Sequence, residues 1–155
     1  TTVIKEGEVQ VMSAGTGIIH SEMNNRTDMA VQFLQIWIFP DKKNVMPRYD
    51  QKLIDKESVT NRLGEIVSPN EGEEGVWINQ QAWFHLGEFT DNQAIEYTPK
   101  KRENGIYIFL LEGEATIDAH KLNRRDAIAV TEAEVLSIDI SKDSKILVME
   151  VPMTW

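Results

Sequence analysis

The sequence predicts an all-β fold, an antiparallel sandwich or barrel. Three observations carry this expectation. Apolar and polar residues alternate in short runs, as in GEVQVMS at 7–13, where Val9 and Val11 stand against Gln10 and Met12. The runs are separated by Gly, Pro, Asn or Asp. Helical periodicity is weak throughout, and only KLIDKESVTNRL at 52–63 has room for a turn of helix.

The elements follow in order. VQFLQIWIF at 31–39 is apolar on both faces, which predicts a strand buried on each side. Pro40, Asp41 and Asn44 close it, and KNVMPRYDQK reads as extended, irregular chain around Pro47. RLGEIVS at 62–68 predicts a strand that runs into the polar, glycine-bearing loop PNEGEEG. Seven further strand signals follow: VWINQ, AWFHLGEF, AIEYT, GIYIFLLEGEATIDA, DAIAVT, EVLSIDI and KILVMEV. LEGEA predicts a hairpin turn with Gly113 at positive φ, and SKDSK at 141–145 predicts another. A boundary falls near Tyr49 to Lys56, because about three strands precede it and a small barrel needs more.

Composition narrows the chemistry. With 41% hydrophobic and 26% charged residues, the 155-residue chain suits a globular protein and excludes wholesale disorder. The net charge of −9 argues against binding a phosphate backbone, and the one short basic cluster, Lys100 to Arg102, runs straight into Glu103. No apolar run reaches membrane-span length and no leader peptide is visible, so the expected setting is cytoplasmic with no membrane partner. The absence of cysteine excludes thiolate sites. A metal here would take N and O donors, which suits iron, manganese, nickel, copper or zinc.

The stretch AGTGIIHSEMN at 14–24 carries the sharpest signal. His20 and Glu22 stand two apart after a glycine-rich turn. In an extended strand such a pair points to the same side. Taken alone, the pair reads more readily as a solvated strand end than as a metal site. The longer run GEVQVMSAGTGIIHSE, with LQIWIFP, PRYDQ and NQQAWF, resembles the signature of pirin-like proteins, a branch of the cupin superfamily. The resemblance extends over nearly the whole chain.

That resemblance implies two cupin barrels in tandem. Residues 1–48 would be the C-terminal half of an N-terminal, metal-binding barrel. Residues 49–60 would be a linker, and 61–155 a complete C-terminal barrel without a metal site. It implies a divalent metal, Fe(II) foremost, held by three histidines and a glutamate. His20 and Glu22 match one of the family's two ligand motifs. The other, H-x-H, has no counterpart in this sequence, so the expectation is of a piece of a longer protein. At the corresponding positions of the second barrel stand Lys100 to Arg102, Ile106, Arg125 and Leu136, which are cations and aliphatics. The resemblance further implies a quercetin 2,3-dioxygenase acting on a flavonol-like small molecule, with Glu22 also serving as a base. Its alternative is a non-catalytic iron-binding regulatory protein with protein partners. An isomerase or a plain small-molecule binder stays open, because fold does not fix function.

The remaining candidates have blander readings. His85 is expected to be half-buried with a satisfied hydrogen bond, or else a pocket acid or base. His120 is expected in a solvated polar connection. Trp37, Trp77, Trp83 and Trp155 are expected in the core or at the barrel seam, and Glu71, Glu73 and Glu74 in a solvated loop.

Overall fold

The computed structural model describes residues 2–154. Its first sheet is a two-stranded ribbon in which β1 (Glu8–Ser13) pairs antiparallel with β2 (Arg48–Leu53). Residues 48–53, expected to be irregular, therefore form a strand. A single turn of helix follows, α1 (Lys56–Val59), where the sequence left room for one. The Asp55 side chain caps it by accepting from the Glu57 N–H at 3.1 Å.

The strands after α1 make two sheets. One contains β3 (Gly64–Ser68), β4 (Val76–Trp77), β5 (Trp83–Phe89), β7 (Asn104–Glu112), β10 (Ala127–Val130) and β12 (Ser144–Pro152), in the order β10-β7-β12-β5-β3-β4. The other contains β6 (Gln93–Tyr97), β8 (Glu114–Ile117), β9 (His120–Asn123) and β11 (Leu136–Ile140), in the order β6-β11-β8-β9. Between them lies one apolar cluster, which includes Ile108, Leu110, Ile138, Ile146 and Val148. A second cluster covers the opposite face of the larger sheet, where Ile66, Phe84, Leu86, Leu147 and Met149 meet Val9 and Val11 of the ribbon. Alternate residues of β5 and β12 thus serve different cores, as period-two geometry requires.

Two expected hairpins are sheet crossings. Gly113 does take positive φ (82°), but β7 and β8 belong to different sheets. A Cβ there would lie 2.0 Å from Ser144 Oγ, so the corner needs glycine for space as well as conformation. Likewise 141–145 carries the chain from β11 across to β12. A barrel closed from two sheets needs such corners, and local turn chemistry does not distinguish them from hairpins. A hairpin does join β8 to β9 through Asp118 at φ 51°. His120, expected in a connection, opens β9 and is exposed.

The largest departure is at 31–39. It forms no strand, and Val31, Phe33, Leu34, Ile36, Trp37 and Phe39 are exposed. Among the described residues no strand hydrogen-bonds alongside this segment, so its apolar pattern has no sheet to enter. Trp37, expected in the core, is 85% exposed. Trp83 is buried, and Trp77 is half-buried beneath the Arg48 guanidinium, 3.8 Å from the ring centre. Trp155 lies outside the described residues. No helix among the described residues is long and apolar enough to cross a membrane.

Candidate functional site

His20 and Glu22 lie in a segment without strand structure, and both are exposed. Without a paired neighbour, nothing imposes the alternation that would aim them into one cavity. Among the described residues there is no group of three or more His, Asp or Glu side chains able to hold a metal ion. An imidazole and a carboxylate have the right donor chemistry for a divalent ion, but two exposed donors do not enclose one.

The structure gathers a different set of polar groups, on the barrel side of the larger sheet. Strand pairing sets Glu65 of β3 opposite His85 of β5, and His85 opposite Val148 of β12. Val148 in turn faces Ile108 of β7. One row therefore runs from a carboxylate through an imidazole into the apolar core. The next row places Glu150 beside Trp83 and Ile106.

Glu150 is fully buried, and its carboxylate is saturated with donors. Tyr97 Oη donates to Oε2 at 2.8 Å, as does the Lys100 backbone N–H at 2.8 Å. The Lys101 N–H donates to Oε1 at 2.9 Å, and Asn104 Nδ2 donates to it at 2.7 Å. The carboxylate thereby fastens the loop between β6 and β7. Burial pushes the Tyr97 hydroxyl well above its ordinary range, and the Glu150 charge adds to that.

His85 is 7% exposed, against the expectation of a half-buried ring. The expected satisfied hydrogen bond is absent too: Nδ1 is buried without a partner. Nε2 stands 3.8 Å from Glu65 Oε2, and the ring meets Tyr97 edge to face at 5.4 Å. Lys100 Nζ approaches the same Glu65 oxygen at 3.7 Å. Glu65, His85 and Lys100 line a cavity of about 440 Å³ whose wall also includes Arg62 and Glu74.

Burial lowers the His85 pKa from 6.5 to about 4, helped by the Lys100 charge and opposed by Glu150. Glu65 moves the other way, raised chiefly by its own burial. The sign for stability follows from proton uptake. The unfolded chain protonates this histidine first, so stability falls as pH drops from about 6.5 toward about 4 and levels off below, a loss on the order of 3 kcal/mol from this group. Glu65 works in the opposite sense, because its raised pKa makes the folded chain the better proton acceptor. Urea unfolding across this range is expected to show the loss, and His85→Gln is expected to flatten it.

A barrel built from two largely antiparallel sheets, with corners at Gly113 and 141–145 and a polar mouth at one end, defines a cupin domain. Residues 65–151 match the family model for the quercetinase C-terminal cupin domain, and residues 1–38 match the pirin model. The chain belongs to the pirin-like family of cupins. It is 29% identical over 150 residues to a quercetin 2,3-dioxygenase of Escherichia coli (strain K12), covering 96% of this chain and 63% of that protein. It is also similar to the crystal structure of the bacterial pirin YhhW from Escherichia coli in complex with nickel(II). That likeness has a TM-score of 0.87 at 28% identity and covers 96% of this chain and 62% of the other. A quercetin 2,3-dioxygenase structure from Acinetobacter baumannii shares the fold, with a TM-score of 0.57 at 16% identity over 75% of this chain and 42% of the other. The chain spans 63% of the length of the Escherichia coli dioxygenase it matches.

His85 stands out in the sequence as a candidate pocket acid or base, whereas no motif singles out Glu65 or Glu150. In KILVMEV the alternation sets Glu150 on the face of Ile146 and Val148, which is the wrong side for an unpaired acid. Glu65 needed the strand order, because only its pairing with His85 shows which face it joins.

Proposed function

We propose that the chain is part of a divalent-metal pirin-like cupin, with His20 and Glu22 as two of the protein donors and the flavonol quercetin or a relative as substrate. In this reading residues 1–48 belong with the metal-binding barrel, 49–60 link the two, and 61–155 form the second barrel. One observation carries it: the pirin-model match over 1–38 contains both His20 and Glu22. The nickel(II) complex of the similar bacterial pirin and the activity named for the Escherichia coli relative support it. Fe(II) is the metal proposed, and it would supply Lewis acidity and a meeting place for dioxygen and substrate. The donors seen here do not surround an ion, and the reading calls for further donors beside His20 and Glu22. Glu22 is also proposed to accept the flavonol hydroxyl proton.

The test is metal binding and flavonol consumption by a protein of the relatives' full length. His20→Ala is expected to weaken metal binding at least about 10-fold, the low end of what even the outer partners of metal ligands are worth. Unchanged metal affinity and unchanged turnover would remove His20 from the site.

A second reading is a non-catalytic regulator that binds other proteins, favoured by the net charge of −9. Flavonol turnover that depends on Glu22 would count against it.

A further inference from the structure

The cavity between α1, β3, β5 and the loop after β6 has no part in the proposed metal chemistry. It lies on the second barrel, and its polar groups are incompletely matched. Glu65 Oε2 stands between the His85 Nε2 at 3.8 Å and the Lys100 Nζ at 3.7 Å, both beyond the length of a hydrogen bond. His85 is more than nine-tenths buried, lines the cavity and leaves Nδ1 without a partner. A half-buried carboxylate and a buried imidazole left this way are costly unless something else completes them.

Charge indicates what would complete them. Asp55, Glu57, Glu65 and Glu74 line the cavity, against only Arg62 and Lys100. Arg62 is already engaged, donating from Nε and an Nη to the Glu57 carbonyl at 3.0 and 2.5 Å. Lys100 is half-exposed and tethered through its backbone to Glu150, so its ammonium reaches Glu65 only loosely. The chain's own lysine thus shows, at long range, the kind of group the carboxylate attracts.

We propose that this cavity binds a small organic primary amine, its ammonium seated between Glu65 and His85. An ammonium carries three donors. Glu65 and the neutral His85 ring offer acceptors from two directions, and the other carboxylates favour the cation at the rim. This site is independent of the metal reading, and the outcome at one does not decide the other.

The test uses the 155-residue chain and 1,4-diaminobutane as the probe, with 1,4-butanediol and succinate as neutral and anionic controls of similar length. NMR signals of the His85 ring are expected to shift saturably with the diamine and not with either control. Glu65→Gln is expected to weaken diamine binding about 10-fold, as loss of a close charge pair does. Lys100→Met is expected to strengthen it about threefold or more, because the resident cation is removed while its backbone N–H still reaches Glu150. The opposite signs keep the proposal testable if Glu65→Gln folds poorly. Diamine affinity that is the same in Glu65→Gln, or lower in Lys100→Met, would overturn it. So would succinate binding more tightly than the diamine.

Discussion

Glu150→Ala is expected to cost about 3–5 kcal/mol of stability, the usual penalty for breaking a buried charged network. The residue has no exposed surface, and four donors converge on it. Alanine would leave the Tyr97 hydroxyl, two backbone N–H groups and the Asn104 amide facing a void. Each is a buried donor without an acceptor. Glu150→Gln is expected to fall between alanine and the parent, because an amide keeps one accepting oxygen and turns its NH₂ on the other donors. Urea unfolding at neutral pH is the measurement. A loss below about 1 kcal/mol for alanine would mean that water replaces the carboxylate at little cost.

Gly75→Ala is expected to be comparably severe, about 3 kcal/mol or more, because strain and a clash act together. Gly75 has φ 77°, and an added Cβ would lie 2.2 Å from the Ile66 carbonyl oxygen and 2.7 Å from the Ile66 Cα. Both neighbours are backbone of β3, so relief requires β3 and β4 to part. The parallel pairing of Val67 with Val76 would be lost first. Gly72→Ala is the control: its φ is also positive (93°), but nothing lies within 4 Å of the added atom. A Gly75→Ala protein as stable as Gly72→Ala would show that the loop moves aside freely.

The strands after residue 60 were legible because their alternation is strong and their turns are marked. β3, β5, β7, β11 and β12 lie where the periodicity put them. The corners at Gly113 and 141–145 were misread as hairpins because conformation is local, whereas the choice of partner strand is not. The segment 31–39 was misread for a related reason. Its apolar pattern states what it would bury, but only part of that is met: Ile38 packs against the second cluster, while no strand among the described residues pairs alongside the segment and most of its apolar side chains stay exposed. His20 and Glu22 have donor chemistry by residue type, but the alternation that would aim them together needs a paired strand, and both lie exposed outside any strand. Glu65 and His85 are 20 positions apart in the chain, and only β-sheet register makes them neighbours.

One ribbon of backbone has the last word on how this molecule behaves under load. Odd positions of β12, Leu147 and Met149, anchor the outer cluster, while even positions, Ile146, Val148 and Glu150, anchor the inner one and its latch. Neither half can loosen without slackening the other. A single cooperative melting transition should result, and a fault introduced on the outer side should be felt at the rim as well.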